Sequence, residues 1–210
     1  MAAKKSAKKT ARKSASSTRQ PSDAIALLKA DHKLVQGLFD QFEKTRSKDR
    51  KSALATQICD ELTVHAQIEE EIFYPAARRV LRDEDLLDEA TVEHASAKDL
   101  IAQIRASRPG AELFDAKVTV LGELVKHHVK EEQNEMFPKI RKTKLDLKAL
   151  GEELYARKME LSEGRAGKAT RSRAAERLTG SRRSTTQSGK AKKSESEGII
   201  ATLTRGMGFS

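Results

Sequence analysis

Four histidines and two glutamates are spaced so that they could share one piece of chemistry. His32, His65, His94 and His128 recur along the chain, and Glu69 and Glu132 each follow a histidine by four residues. On a helix that spacing stacks an imidazole and a carboxylate on one face, one turn apart. Two such helices bring two carboxylates to a common centre, where each can bridge a pair of metal ions. Four imidazole nitrogens and four carboxylate oxygens give four donors to each of two ions, and a solvent-derived oxo or hydroxo bridge would raise each to five. Mixed imidazole and carboxylate ligation with spare positions suits iron, with manganese or zinc as alternatives. A single zinc would leave donors unused. The Glu-x-x-His spacing of ferritin-like di-iron bundles does not occur.

His127 starts a competing pair with Glu131, but its stripe of Val120, Glu123, Leu124, Glu131 and Asn134 is the more polar one. His128 is therefore expected as the ligand and His127 as an outer or surface residue. Glu70, Glu71 and Glu131 read as a solvated face, Tyr74 and Phe137 as packing, and Pro75 and Pro138 as residues that kink or end their helices. Cys59, the single cysteine, reads as a small buried side chain. One thiol excludes a disulfide scaffold and thiolate zinc fingers.

The elements that must position these residues read as helices throughout, with breaks near 47–50, 79–83, 107–110 and 141–144. Pro21-Ser22-Asp23 supplies a first N-cap. The stripes are Ile25, Leu28, His32, Val35, Phe39, Phe42; then Ile58, Leu62, His65, Glu69, Ile72, Ala76; then Leu87, Ala90, His94, Ala97, Ile101, Ile104. The fourth is Val118, Leu121, Val125, His128, Glu132, Glu135. Asp31-His32 matches Glu93-His94 at a shift of 62 residues, and HAQIEEEIFYP (65–75) matches HVKEEQNEMFP (128–138) at a shift of 63. The body is thus a doubled helical hairpin.

Antiparallel helices rise equally per residue, so positions at one height lie symmetrically about their loop. The midpoints of successive histidines fall at 48.5, 79.5 and 111, at or beside three of the breaks. An up-down-up-down four-helix bundle therefore places all four imidazoles in one inward-facing layer. Four imidazoles and two carboxylates in a core slice would leave buried polar groups unpartnered, at several kcal/mol for each ion. A bound cation removes that penalty.

Asp31-His32, His65-x-x-x-Glu69 running to Phe73-Tyr74-Pro75, Glu93-His94, and His128-x-x-x-Glu132 running to Met136-Phe137-Pro138 resemble the bacterial hemerythrin-like HHE cation-binding family. The resemblance covers 22 to about 142 and extends into 145–161, which is similar to a trailing helix of bacterial members. It implies a non-haem di-iron centre, without haem, that binds or senses oxygen, peroxide or nitric oxide, and a place in oxidative stress. The pattern departs from the oxygen-carrying members in the third helix. Those carry two histidines one turn apart there, whereas His94 is flanked by Ala90 and Lys98. The second carboxylate is also a Glu at i+4 instead of an Asp at i+5. A more symmetric and open site, with two histidines per iron, points away from reversible oxygen storage. No catalytic residue is assigned, and a peroxide-decomposing enzyme at the same centre is the rival reading.

Charge divides the chain further. Residues 1–20 and 161–210 each carry a net +7, against −4 for the residues between them. The expected organisation is a disordered basic tail over 1–20, a bundle over 21–161 and a second disordered basic tail over 162–210. Basic tails without interleaved aromatics could hold nucleic acid through its phosphates, non-specifically. No apolar run approaches a membrane span or a secretory signal, so the expected location is cytoplasmic, with no membrane partner.

Overall fold

A computed structural model describes residues 21–81 and 84–183, with side chains described through 165. Seven α-helices are present among the described residues: α1 (Ala24–Lys44), α2 (Lys48–Ile68), α3 (Tyr74–Arg78), α4 (Glu84–Ala106), α5 (Phe114–Glu131), α6 (Phe137–Arg141) and α7 (Leu147–Arg183). Two π turns, Glu69–Phe73 and Glu132–Met136, join α2 to α3 and α5 to α6, so each pair runs on as one rod. Among the described residues there is no strand.

Local chemistry sets the helix ends. Asp23 caps α1 by accepting from the Ala26 N–H at 2.8 Å, and Ser47 Oγ accepts from the Arg50 N–H at 3.3 Å. The first break thus lies just before Lys48, slightly earlier than the sequence suggests. Asp146 Oδ1 accepts from the N–H groups of Lys148 and Ala149 and opens α7. Gly110 takes the left-handed backbone that the Pro109-Gly110 stop requires, with φ at 80°.

α1 packs on α2 and α4 on α5, and the α2–α4 and α1–α5 contacts close a four-rod bundle. Its core falls into two apolar clusters. One contains Ile25, Leu28, Phe73, Phe137 and, from α7, Leu150 and Leu154. The other contains Val35, Phe39, Phe42, Ile58, Leu121 and Phe114.

Both π turns sit at the same place in the repeat, and they correct the sequence reading in two ways. Pro75 and Pro138 do not end their rods, which continue as α3 and α6. The amide of Tyr74 bonds back to Glu69, five residues earlier, and that of Phe137 to Glu132. The widened turn accommodates the extra residue immediately before a ring that cannot donate. The second correction follows from the same widening, which advances the buried stripe by one position. Phe73 and Met136 are buried, whereas Ile72 is only partly buried and Glu135 is exposed.

α7 runs to Arg183, past the boundary expected at 161, through a segment in which the helix formers Arg and Ala supply ten of the 22 residues from 162 to 183. Residues 1–20 and 184–210, where disorder is expected, lie outside the described residues. No helix among the described residues is long and apolar enough to cross a membrane.

Candidate metal centre

The four rods deliver His32, His65, His94 and His128 to one layer between the two apolar clusters. All four are buried, as are Glu69 and Glu132. The Nε2 atoms point inward. Those of His32 and His65 lie 2.9 Å apart, and those of His94 and His128 3.2 Å apart. Glu69 Oε2 stands 3.3 Å from both His65 Nε2 and His94 Nε2. Glu132 Oε2 stands 3.2 Å from His32 Nε2 and 3.7 Å from His128 Nε2. Each carboxylate therefore lies between two histidines from opposite ends of the site, which is where a bridging ligand must sit.

The spacings have a physical reading. An ion about 2.1 Å from each donor holds its donors roughly 3.0 Å apart in octahedral and 3.4 Å apart in tetrahedral geometry. The observed separations span that range. Two overlapping groups result: His32, His65, Glu69 and Glu132, and Glu69, His94 and His128. Among the described residues, the buried side-chain polar atoms without a hydrogen-bond partner are Asp31 Oδ2, His65 Nδ1, both Glu69 oxygens and Glu132 Oε2. All five belong to this site or its margin. Buried polar atoms left unpaired are costly, so the Glu69 and Glu132 oxygens among the inward nitrogens fit a cation that would engage them.

The outward nitrogens each face a polar group, again in twofold fashion. His94 Nδ1 lies 3.0 Å from Glu70 Oε1 and His128 Nδ1 2.8 Å from Glu93 Oε2. His65 Nδ1 faces Asp31 Oδ2 at 3.6 Å, and His32 Nδ1 meets the Gln133 amide at 3.2 Å. A carboxylate on the outer nitrogen fixes the tautomer that leaves Nε2 free to ligate. Asp31 and Glu93 match in the repeat, as do Gln133 and Glu70.

Electrostatics follow from this crowding. Burial, then the neighbouring Glu132 charge, drives the Glu69 carboxyl well above the ordinary range. Glu132 goes the other way, to about 2, because its bond to His32 and the nearby histidines outweigh burial. Burial, then His128, lowers His94 to about 4. His128 is raised, since its bond to Glu93 outweighs the effect of burial.

Three residues read otherwise from the sequence have places here. Tyr74 does more than pack: its hydroxyl donates to Glu132 Oε1 at 3.2 Å and lies 3.3 Å from His94 Nε2. Its repeat counterpart Phe137 stacks on His32 at 6.0 Å between ring centroids. Glu70 is half-buried against His94 and also holds Lys98. Glu131 is drawn to His127 at 3.1 Å. The signal for Tyr74 and Glu70 was present in the repeat itself, as the mismatches Tyr74/Phe137 and Glu70/Gln133. Cys59 is buried in the core, and burial pushes its thiol up to about 11.

A family model of the hemerythrin HHE cation binding domain matches residues 23–140, the segment that carries all six inward-facing side chains. The chain belongs to that family. A curated relative in sequence, 31% identical over 125 residues, is a protein from Nostoc sp. (strain PCC 7120 / SAG 25.82 / UTEX 2576) named DNA nickase. The match covers 60% of this chain and 35% of that protein, so the chain spans about a third of the relative's length. Among solved structures, the HHE cation binding domain-containing protein described as the Rv2633c homolog from Mycobacterium kansasii shares the fold. Its TM-score is 0.58 at 24% identity, over 68% of this chain and 88% of that one.

Proposed function

We propose that this HHE protein is a non-haem di-iron protein that binds or senses a ligand of a few atoms, such as oxygen, peroxide or nitric oxide. The observation that carries the reading is the position of Glu69 and Glu132, each between two imidazoles and each with unpartnered oxygen. His32 and His65 would hold one ion and His94 and His128 the other, with Glu69 and Glu132 shared between them. Iron, when bound, supplies the change of oxidation state and the open positions that a small ligand needs.

The chain's own residues set the conditions for that ligand. Val35, Leu62, Ala97, Ile101, Leu124 and Val125 help to wall a cavity of about 30 Å³ that opens on the histidines. A space of that size admits a molecule of water's scale and little more. Glu70, Glu93, Asp31 and Gln133 hold the imidazoles in orientation. Burial, then the carboxylates around it, keeps the Tyr74 phenol protonated, as a donor toward Glu132. That proton source is the observation favouring the second reading, a peroxide-decomposing enzyme at the same centre.

Anaerobic loading with ferrous iron, metal analysis and an optical spectrum in air test the proposal. Two irons per chain and a near-ultraviolet band that grows on oxidation are expected. One zinc per chain and no such band would refute it. Peroxide turnover by the loaded protein separates the enzyme from the sensor. Nucleic acid is the proposed macromolecular partner, on the basis of the two +7 segments and of the name borne by the Nostoc relative.

A further inference from the structure

Asp31 and Glu93 hold matching places in the two halves, and each faces the outer nitrogen of a buried histidine. Their second oxygens meet different surroundings. Asp31 Oδ1 is bound by Lys158 of α7, which seals that half. Glu93 instead turns Oε1 toward His127 Nε2, 3.5 Å away, and the same nitrogen lies 3.1 Å from Glu131 Oε1. The repeat positions of His127 and Glu131 in the sealed half are Val64 and Ile68, both buried apolar residues. The open arrangement thus exists in one half only.

We propose that Glu93, His127 and Glu131 form an outer divalent-cation site, open to solvent, through which the buried centre is loaded. The donor atoms of the three residues lie within 4.8 Å of one another. Of the two separations from His127, 3.1 Å lies within the roughly 3.0–3.4 Å expected between donors on one ion and 3.5 Å just beyond it. One imidazole and two carboxylates suit zinc, ferrous iron or manganese, with water in the remaining positions. His127 and Glu131 are one turn apart on α5, and Glu93 completes the set from α4.

Exposure falls stepwise along this path. The side chains of His127, Glu131, Glu93 and His128 are 61%, 28%, 15% and 8% exposed in turn. Glu93 belongs to both ends of the sequence, since its other oxygen holds His128 Nδ1 at 2.8 Å. It also lines the same cavity as His128, so a cation leaving the triad enters a space already walled by ligand-bearing side chains. A buried ion needs a way in, and the opposite half is closed by Lys158. The triad shares none of the six inward-facing residues, so in protein whose buried centre fails to hold iron the zinc lost on His127→Ala still reports the triad.

Zinc titrated calorimetrically into the full-length, iron-loaded protein tests the site, and ferrous uptake by the metal-free protein under limiting iron tests the loading role. One further zinc per chain is expected. His127→Ala and Glu131→Gln should each weaken it by roughly tenfold or more, since loss of a mere outer partner already costs that much. Both variants should reach the wild-type iron content while filling several-fold more slowly. A loaded wild-type protein that takes up no further zinc overturns the proposal. So does a pair of variants that bind zinc or fill with iron as the wild type does.

Discussion

At neutral pH the metal-free protein keeps Glu69 fully buried, without a hydrogen-bond partner and beside Glu132. Glu69→Gln retains the shape and cannot ionise, so its two effects should have opposite signs. The metal-free variant should be more stable at neutral pH by roughly 1 kcal/mol or more, because the wild-type carboxyl must be held protonated there against its ordinary pKa. It should hold little iron. Denaturation of both metal-free proteins, with metal analysis after loading, checks the pair; a less stable variant would mean that Glu69 is satisfied in the metal-free state.

The same residue sets a pH dependence. Its folded pKa lies above the unfolded value, so folding takes up a proton, and its contribution to metal-free stability is present at low pH and lost as pH rises above about 4.5. His94 acts oppositely: lowered to about 4, it favours the fold above its ordinary value of 6.5 and loses that contribution as pH falls from 6.5 toward 4. A cation must displace the Glu69 proton, and any held by His128, whose pKa is raised. Iron affinity should therefore rise with pH, with proton release on binding. The gap in Tm between loaded and metal-free protein should be wider at pH 8 than at pH 6. A gap independent of pH would show that no proton is displaced.

At the scale of the elements, α7 lies tightly against the start of α1 at Gly151. A Cβ there would meet the Ala24 backbone nitrogen at 2.6 Å and the Asp23 carbonyl carbon at 2.8 Å, and backbone cannot give way as a side chain can. Gly151→Ala should cost about 1–3 kcal/mol through overpacking. Gly37, inside α1 with nothing within 4 Å of a added Cβ, is the control. Gly37→Ala should stabilise by roughly 0.5–1 kcal/mol. Urea unfolding of the two variants measures the difference, and equal midpoints would mean that α7 does not dock at Gly151. That docking matters for the site, because α7 also supplies Lys158 to Asp31 and Arg157 to Glu71.

For the whole molecule, the charge map decides which part can meet nucleic acid. The central −4 repels phosphates on average, so duplex affinity should come from the two +7 segments. Each phosphate neutralised contributes roughly −0.9 to the slope of log affinity against log salt, and five contacts give about −4.5. Removing residues 1–20 and 166–210 spares the Lys158–Asp31 and Arg165–Asp60 pairs. The shortened protein should lose duplex binding and keep its iron. Fluorescence anisotropy with labelled duplex across salt concentrations measures both slope and loss. Binding unaffected by the truncation would place the contact on the bundle.

The sequence by itself determined the helical periods, the doubled hairpin and the layer of four histidines. Those depend on rise per residue and on the burial of one stripe, and both are local properties repeated at a fixed shift. It also distinguished His128 from His127, because the polarity of a stripe shows which way it faces. Only the tertiary structure decided what surrounds that layer. The π turns before Pro75 and Pro138 shift the buried face by one residue, a change in hydrogen-bond register that side-chain periodicity does not encode. Tyr74 reaches Glu132 from another rod, 58 residues away, and Lys158 reaches Asp31 across 127. The partners of Glu70 and Glu93 are likewise set by which rods pack side by side. Spacing along one helix fixes which residues share its face, whereas contacts between helices depend on their rotation and height against one another.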